Sequence, residues 1–115
     1  MEEPLGRFRE EAQERLTELA LGILTLEQSP GAAEPLQQAF RAAHSLKGGA
    51  RLAGLPEMEE VAQALEELLG ALRSGQLAMS PSLGDLLLRA HDDLERMAIR
   101  RPSSSPQRGR APASR

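Results

Sequence analysis

The sequence contains no cysteine, tryptophan or tyrosine, and its aromatic residues are two phenylalanines, Phe8 and Phe40. The lack of cysteine excludes a disulfide framework and thiolate metal sites, and it is typical of cytosolic proteins. No apolar run approaches the ~20 residues that span a membrane. The N-terminus has no basic segment followed by an apolar core, so no secretory signal is visible. We therefore predict a cytoplasmic protein without a membrane segment.

The apolar residues that are present are mostly leucine and alanine, which favour packed helices over sheets. A chain of 115 residues suffices for one domain with one modest core. Apolar positions recur at steps of three and four in four segments, each bounded by proline, glycine or serine. We predict an all-α fold, an antiparallel up-down-up-down four-helix bundle over residues 1–100.

The helix limits follow from these turn and cap residues. The predicted helices run from Leu5 or Phe8 to Glu27, from Glu34 or Pro35 to Gly54, from Pro56 to the residue before Ser74, and from Pro81, after the N-cap Ser80, to Ile99. The predicted buried face of the last helix consists of Leu83, Leu86, Leu87, Ala90, Leu94, Met97 and Ala98.

Residues 101–115 show no periodicity and are rich in proline, serine and arginine. This composition predicts a flexible linker or disordered basic tail. Since the net charge is −3 with this basic segment included, the folded part is more acidic than the total. The tail lacks aromatic residues and could supply only salt-sensitive, sequence-independent attraction to nucleic acid, so we predict no nucleic-acid partner.

One predicted helix contains two adjacent glycines, Gly48 and Gly49, four and five residues after His44. Each glycine inside a helix costs about 1 kcal/mol relative to alanine. The pair could allow another molecule's backbone to approach His44, which lies at the edge of the buried stripe. Alternatively, the two glycines could end the helix and leave His44 in its last turn.

The stretch AHSLKGGA at residues 43–50 resembles the phosphorylation motif of histidine phosphotransfer (HPt) domains. Together with residues 40–44 and 62–69, it is similar to the N-terminal phosphotransfer domain of chemotaxis-type histidine kinases. The resemblance extends from about Phe8 to Ala98. It implies a phosphoryl carrier in a two-component or chemotaxis-like phosphorelay.

The resemblance also implies a role for each matching residue. His44 matches the histidine that accepts the phosphoryl group through Nε2, and Glu66 matches the glutamate that orients the imidazole through Nδ1. Lys47 matches the lysine that stabilises phosphoryl charge, and Gly48 matches the small residue that lets the partner approach. Many relatives carry a second histidine where this chain has Gln63, which argues against an extended hydrogen-bond network.

The chemistry of these side chains agrees with such roles. A neutral imidazole has one lone-pair nitrogen, and the partner of the other nitrogen selects it. If Glu66 accepts a hydrogen bond from Nδ1, Nε2 of His44 is free to attack phosphorus. Lys47 then offers positive charge to the phosphoryl oxygens, and Arg41 and Arg51 can add to this field.

The sequence shows no ATP-binding glycine loop, no Walker lysine motif and no cluster of metal-ligating carboxylates, so we predict no bound cofactor and no metal. The His91-Asp92 pair could suggest a metal, but two histidines without convergent spacing argue against one. We expect His91 to be solvated.

ATP and Mg²⁺ would be used by partner domains. A histidine kinase catalytic domain, expected in the same parent protein, would donate the phosphoryl group, and the aspartate of a response-regulator receiver domain would accept it. Alone, the domain would be a monomeric carrier without an ATP site, and the sequence leaves open whether the chain is free-standing or part of a histidine protein kinase. A second function class, a structural or docking four-helix module with an incidental histidine, also stays open.

Overall fold

The computed structural model describes residues 4–99, which form four helices and no strand. The helices are α1 (Pro4–Gln28), α2 (Ala33–Ala53), α3 (Pro56–Ser74) and α4 (Pro81–Ile99). The predicted all-α class is confirmed, and the helix limits lie close to the predicted ones. The predicted tail at residues 101–115 lies outside the described residues.

The helix ends agree with the turn and cap residues in the sequence. Gly54 and Gly75 end α2 and α3 in the left-handed conformation, with φ values of 75° and 86°, and this conformation favours glycine. Ser80 is the predicted N-cap of α4, and its Oγ accepts a hydrogen bond of 3.1 Å from the backbone N–H of Leu83.

Helix α2 runs without interruption through Gly48 and Gly49 to Ala53. The alternative in which the glycine pair ends the helix is therefore wrong. His44 lies in the middle of α2, where the two neighbouring helices hold its backbone in place.

Helix α1 packs against α2 and α4, and α3 packs against the same two helices, so the four helices surround one core. His44 and Arg51 of α2 contact Glu66 and Glu59 of α3, respectively. Since the order of residues reverses between these helices, α2 and α3 are antiparallel. The fully buried larger side chains of the core are Leu16, Leu19, Ile23, Leu26, Leu46, Met58, Leu65, Leu69, Leu87 and Leu94.

Two predictions about α4 are wrong. Leu86 was placed on the buried face but is 47% exposed. His91 was expected to be solvated, but its side chain is only 12% exposed, and its Nε2 lies 3.1 Å from the carbonyl oxygen of Leu16 on α1. The spacing contained this signal, since His91 lies four residues after Leu87 and three before Leu94, both of which are buried.

No helix within residues 4–99 is long and apolar enough to cross a membrane.

Candidate functional site

The antiparallel packing of α2 and α3 brings His44 and Glu66 together, although they are 22 residues apart in sequence. Nδ1 of His44 lies 2.6 Å from Oε2 of Glu66. This is the contact that the resemblance implied. The imidazole side chain is 64% exposed, whereas the carboxylate side chain is 16% exposed. The site therefore combines an accessible imidazole ring with a largely buried carboxylate that contacts it.

Glu66 uses its second oxygen for Lys47, whose Nζ lies 2.5 Å from Oε1. Lys47 is one turn after His44 on α2, so both groups reach the same carboxylate on α3. The lysine side chain is only 22% exposed. Its ammonium group thus fixes the carboxylate that holds the ring, in addition to placing a positive charge beside the ring.

The protonation state of Glu66 follows from these contacts. Burial raises the pKa of its carboxyl group, but the hydrogen bonds from Lys47 and His44, together with their charges, outweigh burial and lower the pKa below its ordinary value. Glu66 is therefore ionised at neutral pH.

An ionised carboxylate can only accept hydrogen bonds, so Nδ1 of His44 carries the proton. In the neutral ring, the lone pair is then on Nε2, the nitrogen farther from the backbone. No residue among those described forms a hydrogen bond with Nε2. In this tautomer, Nε2 is the ring nitrogen that can act as a nucleophile.

The two adjacent glycines of α2 have different surroundings. A Cβ atom added at Gly48 would meet nothing within 4 Å, whereas one added at Gly49 would lie 3.3 Å from Cε1 of Phe8. Gly49 therefore serves the packing of α1 against α2. Nothing inside the described structure requires Gly48 to be a glycine.

The three secondary site residues, Arg41, Arg51 and Gln63, differ in their contacts. Nε of Arg51 lies 2.8 Å from Oε2 of Glu59, so this guanidinium is engaged away from His44. Arg41 is exposed and forms no ion pair with any residue in 4–99. Nε2 of Gln63 donates a hydrogen bond of 3.2 Å to Glu67. Gln63 does not extend the hydrogen-bond network of Glu66.

Sequence reasoning missed one contact beside the site. The guanidinium carbon of Arg73 lies 4.0 Å from the ring centroid of Phe40, and its Nη1 donates a hydrogen bond of 3.3 Å to Gln37. Phe40 is one turn before His44, so this stacking covers the ring of Phe40 and joins the end of α3 to α2. Arg73 is seven residues after Glu66, a helical spacing that could have indicated the shared face.

The family model described as "Hpt domain" matches residues 3–98. The chain belongs to the Hpt domain family. The predicted family and its phosphotransfer class of function are therefore confirmed.

Among curated proteins, the Hpt chain is similar to the chemotaxis protein CheA of Treponema pallidum, with 35% identity over 105 residues, 91% of this chain and 13% of the relative. CheA of Borreliella burgdorferi is 35% identical over 96 residues, 84% of this chain and 11% of the relative. The Hpt chain thus spans only a small part of these relatives.

Solved structures show the same similarity. The CheA phosphotransferase domain from Thermotoga maritima has a TM-score of 0.81 and 33% identity, covering 86% of this chain and 94% of that chain. The solution structure of the histidine phosphotransfer domain of CheA has a TM-score of 0.83 and 35% identity, covering 90% of this chain and 77% of that chain. A third neighbour is the phosphorylated P1 domain of CheA3 in complex with CheY6 from R. sphaeroides. It has a TM-score of 0.77 and 30% identity, covering 85% of this chain and 77% of that chain.

Proposed function

We propose that this Hpt domain carries a phosphoryl group on Nε2 of His44. The observation that supports this assignment is the 2.6 Å contact between Nδ1 of His44 and Glu66. It holds the proton on Nδ1 and leaves the lone pair on the exposed nitrogen. The other histidine, His91, directs Nε2 to a backbone carbonyl and is therefore not available at that nitrogen.

In the first step, Nε2 of His44 attacks the γ-phosphorus of ATP bound by a kinase domain. A nitrogen–phosphorus bond forms, and the bond from phosphorus to the oxygen of ADP breaks. Positive charge develops on the ring, and the Glu66 carboxylate stabilises it through Nδ1–H. In the second step, a carboxylate oxygen of a receiver aspartate attacks the same phosphorus, and Nε2 leaves with its lone pair restored.

Lys47 has two parts in this proposal. It would orient Glu66 through Oε1, and its ammonium group would attract the phosphoryl oxygens that arrive at Nε2 of His44. Since phosphoryl transfer depends mainly on positioning and charge stabilisation, a carrier needs little more than these groups. Arg41, which is exposed and not engaged in an ion pair within residues 4–99, is the second cation available to these oxygens.

The partners in the proposal are a histidine kinase catalytic domain and a response-regulator receiver domain. The similarity to CheA proteins supports the first, and the complex of a related P1 domain with CheY6 supports the second. ATP and Mg²⁺ would be bound by the partners, and the cytoplasm would be the site of action. We further propose that the isolated domain is a monomer.

The test is intact-mass analysis after incubation with phosphoramidate, or with a CheA kinase domain and ATP. We expect one added phosphoryl group that is labile in acid, stable in alkali and absent in His44→Gln. His91→Gln is the matched control and should still be labelled. Labelling that survives in His44→Gln, or no labelling from either donor, would refute the proposal and favour a docking module.

A further inference from the structure

A second histidine site lies on α4, on the side that faces α1. Nε2 of His91 is 3.1 Å from the carbonyl oxygen of Leu16. A carbonyl oxygen can only accept, so Nε2 carries a proton and donates it. In the neutral ring, the lone pair of His91 is consequently on Nδ1. This nitrogen lies 3.2 Å from Oδ1 of Asp92.

Glu95, one turn after His91 on the same helix, completes the cluster. Ligand atoms of His91, Asp92 and Glu95 all lie within 4.8 Å of one another. Within residues 4–99, neither carboxylate forms an ion pair with a lysine or an arginine, and the nearby Arg96 is paired with Asp93. Two carboxylates and one imidazole lone pair thus converge without a cationic side chain between them.

We propose that His91, Asp92 and Glu95 bind a divalent transition-metal ion of the Zn²⁺ type, with water at the remaining positions. An imidazole nitrogen with two carboxylates suits such ions, whereas Mg²⁺ and Ca²⁺ prefer sites built from oxygen alone. Metal-binding histidines commonly donate their other ring N–H to a backbone carbonyl, which fixes the tautomer and the ring orientation. The contact from His91 to Leu16 has this form and lies outside the ligand cluster.

This site is separate from the phosphotransfer site, which is on α2 and α3. The sequence predicted no metal because it shows only two histidines. It could not show that Leu16 of α1 fixes the ring of His91. An ion held by α4 would also strengthen that contact, because coordination at Nδ1 makes Nε2–H a better donor. Metal binding should therefore stabilise the packing of α4 against α1.

The test is a calorimetric titration of the whole chain with Zn²⁺ in the His44→Gln variant, which leaves His91 as the sole histidine. We expect saturable binding of one ion. In long-range ¹H–¹⁵N spectra, adding Zn²⁺ should change the ¹⁵N chemical shift of Nδ1 of His91, while Nε2 keeps its proton. Asp92→Asn and Glu95→Gln should each weaken binding at least about tenfold, since even groups outside the ligand shell of a metal are worth 10–100-fold.

The matched control is Asp93→Asn, next to the cluster on the same helix, which should leave Zn²⁺ affinity unchanged. His91 is largely buried, so His91→Gln could disturb the fold, and the two carboxylate variants therefore decide the question. An absence of saturable binding would overturn the proposal. The proposal would also be overturned if Asp92→Asn and Glu95→Gln both bound Zn²⁺ with the affinity of the parent His44→Gln variant. A Zn²⁺-induced ¹⁵N shift confined to Nε2 of His91 would overturn it as well.

Discussion

Replacing Glu66 with alanine should slow phosphoryl acceptance by His44 about tenfold or more. A hydrogen bond to a charged group contributes about 1.5–3 kcal/mol, and each 1.36 kcal/mol corresponds to about tenfold in rate. If the whole contribution is realised in the transition state, the loss is about 10–150-fold. Because the His44 side chain is 64% exposed, water replaces part of the contact, and we expect the lower end of this range.

The assay is the single-turnover rate of phosphorylation, measured with a kinase domain and ATP and, separately, with phosphoramidate. Loss of Glu66 also frees Nδ1 to lose its proton, so some phosphoryl groups should appear on Nδ1 in ¹⁵N-resolved spectra. Glu67→Ala is the matched control, since this neighbouring glutamate contacts Gln63 instead of His44. A Glu66→Ala rate within twofold of wild type with both donors would refute the orienting role.

Three further predictions concern the surroundings of this contact. Gly48→Ala should raise the unfolding free energy by about 1 kcal/mol in urea titrations yet slow transfer to a receiver domain; a loss of stability would contradict the open space around Gly48. Lys47→Ala should slow phosphorylation, whereas Arg51→Ala should leave its rate unchanged because Arg51 is paired with Glu59; equal effects would contradict this division. Since the pKa of Glu66 is lowered from 4.5 in the folded state, its stabilising contribution is complete above pH 4.5 and is lost as the pH falls through the folded-state pKa. The difference in unfolding free energy between wild type and Glu66→Gln should therefore narrow below that pH, and a constant difference would contradict the assignment.

Much of the fold could be predicted from the sequence because helix periodicity and cap residues are local signals. Gly54 and Ser80 specify their helix ends through their own backbone or side chain, and both are at the predicted places. Only the family resemblance predicted the contact between His44 and Glu66. It joins two helices, and no periodicity within α2 identifies which residue of α3 lies opposite.

What could not be predicted depends on packing between helices. The sequence could not distinguish Gly48 from Gly49, because the difference arises from the ring of Phe8 on α1. It also could not show that Arg51, suggested as a contributor to the phosphoryl field, forms an ion pair with Glu59. The burial of His91 was missed because a polar residue on an apolar stripe was interpreted as solvated.

In the proposed function, one histidine serves two different partners, and the exposure of the site residues agrees with that role. A carrier must present its nucleophile to a donor and an acceptor in turn, so it cannot enclose that nucleophile in a pocket of its own. Here the 64% exposed side chain of His44 is oriented by Glu66, which is 16% exposed, and Glu66 is held by Lys47, which is 22% exposed. Orientation is therefore supplied from beneath the ring while its outer nitrogen stays accessible. In the proposed transfer, each partner would exclude water, and the open surface at Gly48 would give both partners room to approach the same atom.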